Sequence, residues 1–152
     1  MQAKLKLLRA NSKAPVRAHP DDAGIDFFYC PSTEEAGEDI DIRPMDSAII
    51  PTGVSIEVPE GHMLEVKNKS GIAAKKHLIV GSCVIDRGYT GEIFVNLNNV
   101  GTAVQIIKPG QKIAQGVFVK ISSPELISIA ASEDLYESTA RGDGSLGSTG
   151  DY

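Results

Sequence analysis

Apolar and polar residues alternate with period two over several short stretches of this chain. Residues 4–8, 54–58 and 63–67 each place every second side chain on one face, the pattern of a half-buried strand. Residues 48–50, 78–80, 93–97, 104–107 and 113–119 form short runs rich in Ile, Val and Leu, which predict further strands. Turn formers separate them: Pro51-Thr52-Gly53, Pro59-Glu60-Gly61, Arg87-Gly88, Asn99-Val100-Gly101 and Pro109-Gly110. Only residues 70–77 read as helical, with Ser70 placed to cap the start. Many short strands and one brief helix predict an all-β barrel or sandwich. No internal repeat is visible.

Composition narrows this picture. The 152 residues suit one domain, and 41% hydrophobic residues suffice for its core. The longest apolar runs are too short to span a bilayer as a helix. The first residues, MQAKLKLLRANSK, lack the apolar block and cleavage site of a signal peptide. Two cysteines, Cys30 and Cys83, show neither metal spacing nor a disulfide framework. A cytoplasmic setting is therefore expected, or the host cytoplasm or nucleus if the source is viral. A net charge of −5 argues against a broad nucleic-acid surface. It leaves room for a small anionic ligand, because a few placed cations can dominate locally.

Several chemistries lack their residues. The chain has no GxxxxGK[ST] loop, no GxGxxG after a strand, no HExxH and no paired CxxC. His19, His62 and His77 are scattered and read as structural or solvated. The sequon Asn68-Lys69-Ser70 and the tripeptide Arg141-Gly142-Asp143 read as chance matches in a chain without a secretory signal. Residues 138–150 carry almost no apolar side chains. They read either as a disordered tail or as a flexible arm whose glycines admit close backbone approach to an anion.

Five segments form an ordered set: Asp22-Ala23-Gly24-Ile25-Asp26-Phe27, Lys69-Ser70-Gly71-Ile72-Ala73, Val84-Ile85-Asp86-Arg87-Gly88-Tyr89-Thr90-Gly91-Glu92, Gly110-Gln111-Lys112-Ile113-Ala114-Gln115, and Arg141-Gly142-Asp143-Gly144-Ser145-Leu146-Gly147-Ser148-Thr149-Gly150. Their order, spacing and content resemble the trimeric dUTPase family, the deoxyuridine triphosphate nucleotidohydrolases, from about residue 5 to the end. The resemblance implies a β-clip or jelly-roll-type barrel in a homotrimer, with active sites assembled from all subunits. It implies a core over 1–137 and an arm over 138–152. It also implies hydrolysis of dUTP to dUMP and pyrophosphate, which limits uracil in DNA and supplies dUMP for thymidylate synthesis.

The resemblance assigns roles by position. Asp86 matches the carboxylate that orients water at the α-phosphorus, a role within reach of one positioned base. Tyr89 matches the ring that packs on deoxyribose and excludes a 2′-hydroxyl by bulk. The hairpin from Gly81 to Phe94 matches the uracil slot, where backbone groups near Cys83, Val84, Ile85 and Phe94 meet the base. Lys69, Ser70, Gly71 and Gln115 match phosphate contacts. Arg141, Leu146, Gly147, Ser148 and Thr149 match the closing arm. Mg²⁺ is expected to arrive on the triphosphate, since it favours phosphate oxygens and water. Asp26 matches a carboxylate that meets the ion through water, and Asp22 is expected to be structural.

Some positions depart from the family pattern. Lys69 stands where an Arg is usual and loses the planar fork. Asn68 replaces a Pro, which is expected to loosen that turn. Gln111-Lys112 replaces Asp-Arg, so a buried ion pair made by that Arg is expected to be weak or missing. Leu146 replaces an aromatic that stacks on uracil, so weaker arm closure is expected. Ser145 replaces a glycine and narrows backbone freedom there. Two rivals remain: a non-catalytic nucleotide sensor and a dCTP deaminase. The deaminase needs a glutamate where this chain has Asn96, which cannot shuttle a proton.

Overall fold

The computed structural model describes residues 2–32, 38–133, 135 and 139. Among them, eleven strands and one helix follow the chain: β1 (Leu5–Leu7), β2 (Ile25–Phe28), β3 (Ile40–Ile42), β4 (Ser47–Pro51), β5 (Val54–Ile56), β6 (His62–Lys67), α1 (Ser70–Lys76), β7 (Leu78–Val80), β8 (Val84–Ile85), β9 (Phe94–Asn99), β10 (Gln105–Ile107) and β11 (Lys112–Lys120). Every expected strand forms. The chain divides into two compact units, Met1–Ser122 and Ser123–Tyr152.

All pairings in the first unit are antiparallel. The four-stranded sheet runs β2-β11-β6-β8, a three-stranded sheet runs β4-β9-β7, and β1 with β5 and β3 with β10 form two-stranded ribbons. β11 is the organising strand, pairing β2 on one side and β6 on the other. A register shift between Lys112 and Ala114 marks a bulge in it. Phe27, Leu64, Val66, Leu97, Ile107, Ile113 and Ala114 are buried together. Burial of such side chains is the main stabilising term, about 1.5–3 kcal/mol for each large one.

Helix α1 departs from expectation at both ends. Lys69, not Ser70, occupies the N-cap, with φ −88° and ψ 123° and no side-chain cap. The Lys69 ammonium instead lies 2.8 Å from Asp26 Oδ1. At the other end, His77 turns left-handed at φ 53°, and its N–H donates to Ala73 O. The helix therefore stops at Lys76 rather than at residue 77.

Among the described residues of the second unit there is no strand or helix. A turn closes where Glu133 N–H donates to Ala130 O at 2.9 Å and Glu133 Oε1 accepts Ala130 N–H at 3.1 Å. The expected arm over 138–152 lies outside the described residues except for residue 139. Among the described residues, no helix is long and apolar enough to cross a membrane. Cys30 is buried, Cys83 is exposed, and both are free thiols.

Candidate active site

Two groups of side chains carry the chemistry. The first surrounds the hairpin that follows β8. Asp86 leaves the strand at its end, and its carbonyl accepts Tyr89 N–H at 3.2 Å, closing a tight turn. Tyr89 Oη then donates to Glu92 O at 2.8 Å. The turn walls a cleft of about 230 Å³ lined by Val84, Ile85, Asp86, Tyr89, Glu92 and Phe94. Asp86 and the ring faces of Tyr89 and Phe94 are exposed there. This arrangement offers an ionisable oxygen pair beside two aromatic faces, which suits water activation next to a flat heterocycle and a sugar.

Gly81 and Cys83 hold the hairpin from below rather than lining the cleft. Gly81 N–H donates to Asn96 O at 3.0 Å, and a Cβ on Gly81 would sit 2.1 Å from Asn96 Oδ1. A side chain there would require the Asn96 and Asn98 amides to move. Cys83 O accepts Val66 N–H at 2.7 Å.

Glu92 roots the hairpin in the core. Its carboxylate takes both guanidinium nitrogens of Arg9, at 2.9 and 2.5 Å, and the Gly53 N–H at 2.7 Å. Burial would raise the Glu92 pKa, but the Arg9 fork and the Gly53 amide outweigh it and hold it below the usual range. The same contact with Glu92 raises the Arg9 pKa against its own burial.

The second group centres on Asp26 in β2. This carboxylate is buried, its side chain 5% exposed, with Lys69 Nζ at 2.8 Å from Oδ1 and Lys112 Nζ at 2.7 Å from Oδ2. Lys112 approaches as an ion pair without hydrogen-bond alignment. Burial pushes the Asp26 pKa up, yet Lys112 and Lys69 together bring it below its ordinary value. The ion pair expected to be weak at position 112 is thus present, because a lysine stem reaches Asp26 from the adjoining strand.

Asn68 also differs from expectation. Instead of loosening the turn, its Oδ1 accepts Val80 N–H at 2.7 Å, and its carbonyl accepts Gln115 Nε2 at 3.0 Å. The end of β6, β7 and Gln115 are thereby tied together. Ser70 and Gly71 are exposed at the start of α1 beside Lys69. Asp22 is structural as expected: its Oδ2 accepts His19 N–H at 2.9 Å.

In this arrangement an ammonium faces each Asp26 oxygen. Among the described residues, no three His, Cys, Asp or Glu side chains come together to hold a metal. Arg141, Leu146, Gly147, Ser148 and Thr149 lie outside the described residues. A larger groove, about 680 Å³, lies elsewhere, between β1, β5 and residues 87–90. It shares Tyr89 with the smaller cleft but lacks Asp86.

Sequence motifs led to Val84, Ile85, Asp86, Tyr89 and Phe94 as one group, and the cleft brings these together. Arg9, Asn68 and the pinning role of Glu92 were missed. Arg9 lies 83 residues from Glu92 in sequence, and no local pattern pairs them.

Comparison with known proteins identifies the family. The dUTPase family model matches residues 10–150. A deoxyuridine 5'-triphosphate nucleotidohydrolase of Chlamydia trachomatis serovar D is 41% identical over 116 residues, covering 75% of this chain and 78% of the relative. One from Mycolicibacterium gilvum is 33% identical over 158 residues, covering 100% and 98%. Among solved structures, a Staphylococcus bacteriophage 80alpha dUTPase with dUpNHpp superposes with a TM-score of 0.83 at 29% identity, covering 98% of each chain. A dUTPase from phage phi11 of S. aureus, described with a structural Mg(II) ion, gives 0.75 at 29% identity over 91% of this chain and all of that one. Matched along nearly its whole length in sequence and in fold, this chain belongs to the dUTPase family.

Proposed function

We propose that this chain hydrolyses dUTP to dUMP and pyrophosphate, with Asp86 as the base. The observation that carries the reading is the cleft in which Asp86 stands beside Tyr89 and Phe94. Uracil sits along the slot from Val84 to Phe94, and the deoxyribose packs on Tyr89. Asp86 orients a water and takes its proton as the water oxygen bonds to the α-phosphorus. The bond from that phosphorus to the bridging oxygen breaks, and pyrophosphate leaves with the electron pair. Mg²⁺, carried on the triphosphate, supplies charge neutralisation to the phosphates. Lys69, Ser70, Gly71 and Gln115 contact phosphates, and the arm with Arg141, Leu146, Gly147, Ser148 and Thr149 covers them. We place the enzyme in the cytoplasm, or the host cell if viral.

We propose a homotrimer with shared sites, a reading that the separation of the two groups within one chain supports. β8 and β2 lie at opposite edges of the four-stranded sheet. Ile85 faces Leu64, whereas Asp26 and Gln115 are level with Lys67. Asp86 and the lysine cluster are thus about 14 Å apart across the strands and about 13 Å along them. One phosphate cannot touch both in a single copy. Assembly of copies brings Asp86 of one against Lys69 and Gln115 of another.

A substrate panel tests the reading. Purified protein should release pyrophosphate from dUTP and not from dTTP, dCTP or UTP. Asp86→Asn should lose at least about 100-fold in kcat. Binding without turnover would instead favour the sensor, and ammonia from dCTP the deaminase. Asn96 offers no support for deamination, since its Oδ1 already accepts from Asn98 Nδ2 at 3.2 Å.

A further inference from the structure

We infer that Arg9 is a positioning residue: acting through Glu92, it fixes Tyr89 and so sets how strictly the cleft separates deoxyribose from ribose. The inference rests on the dUTP reading above and adds a residue one position outside the segment that the family model matches. A tyrosine excludes a 2′-hydroxyl only if its ring cannot yield. An exposed ring at the tip of a hairpin would ordinarily shift at little cost. Here two constraints hold it. Its hydroxyl donates to Glu92 O at 2.8 Å. Its ring lies against Gly91, where an added Cβ would fall 2.5 Å from Oη and 2.6 Å from Cζ.

Both constraints belong to the backbone of residues 91 and 92, so the ring is only as fixed as that backbone. The Glu92 carboxylate provides the fixation. It meets Arg9 in a two-pronged fork and the Gly53 N–H at 2.7 Å, with both charged side chains largely buried at 16% and 13% exposure. Arg9 is itself anchored: Nη2 donates to Cys30 O at 3.2 Å, and the neighbouring Leu8 N–H donates to Gly53 O at 2.8 Å. The path therefore runs from the β1 side of the molecule through a planar fork to the sugar wall. A lysine at position 9 would keep the charge and lose the fork.

The test compares dUTP with UTP, by kcat/KM and by equilibrium binding of dUMP against UMP. Arg9→Lys should reduce the preference for the deoxy form by about tenfold. Tyr89→Phe keeps the ring and removes its tie, and should give a similar loss. Because both act on one element, the double variant should lose little more than either alone. A stability role alone would lower Tm in Arg9→Lys and leave the preference at its wild-type value, which overturns the inference. Should Arg9→Lys fail to fold, an unchanged preference in Tyr89→Phe overturns it equally. Wild-type turnover of dUTP with an unmoved preference in the variants defeats this inference and spares the dUTP reading. A wild type that leaves dUTP intact defeats both.

Discussion

Asp26 places a charge on the inward side of a strand, where an apolar side chain would ordinarily pack. Its neighbour Phe27 is fully buried, and the carboxylate is nearly so. An isolated buried carboxylate is costly, and two ammonium groups offset that cost. The lysine side chains remain 31% and 40% exposed, so water still reaches them. Replacing Asp26 by Asn should therefore destabilise the fold by about 1–3 kcal/mol rather than the larger loss of a fully buried pair. The pH dependence has a definite sign. The folded Asp26 pKa lies below the ordinary 3.8. The stabilisation is thus complete above that value and is lost as acid titrates through the lower folded one. Thermal melts at pH 7 and near pH 3 should show the gap between wild type and Asp26→Asn closing on acidification. A gap of equal size at both values would refute the assignment.

The elements that were legible in sequence are those that alternate apolar and polar residues, such as β6, or that cluster Ile, Val and Leu, such as β9 and β11. β2 was hidden because Asp26 interrupts its apolar run, and β8 because two residues give no period. β3 is only three residues long, with Asp41 exposed between two isoleucines. The connections between elements were least legible, since a single side chain can make them. Asn68 is such a case, read as a loosened turn and found to join β6, β7 and Gln115. Substituting Ala removes the acceptor for Val80 N–H while leaving the carbonyl that holds Gln115. A hydrogen bond of this kind contributes about 0.5–1.5 kcal/mol net. Asn68→Ala should raise the KM for dUTP several-fold with kcat nearly intact. Steady-state kinetics on the variant and wild type decides this, and an unchanged KM in Asn68→Ala would count against the tie.

At the scale of the molecule, the separation of Asp86 from the Lys69 and Gln115 cluster becomes a prediction about mixtures. On the proposed shared-site reading, each subunit contributes a base to one site and phosphate contacts to another, so a defect in either part disables different sites. Asp86→Asn removes the base, and Gln115→Ala removes a phosphate contact and the tie to Asn68 O. Each variant alone should be nearly inactive. When the two are unfolded together in equal amounts and refolded, subunits combine at random. A site is intact when its base comes from the Gln115→Ala copy and its phosphate contacts from the Asp86→Asn copy. That requires one half times one half, so roughly a quarter of wild-type activity should return. Mixing the folded proteins without exchange should return none. Had each chain carried a whole site of its own, refolding together would recover nothing beyond the sum of the two residual activities. Recovery thus distinguishes a shared site from a self-contained one without any reference to the size of the assembly.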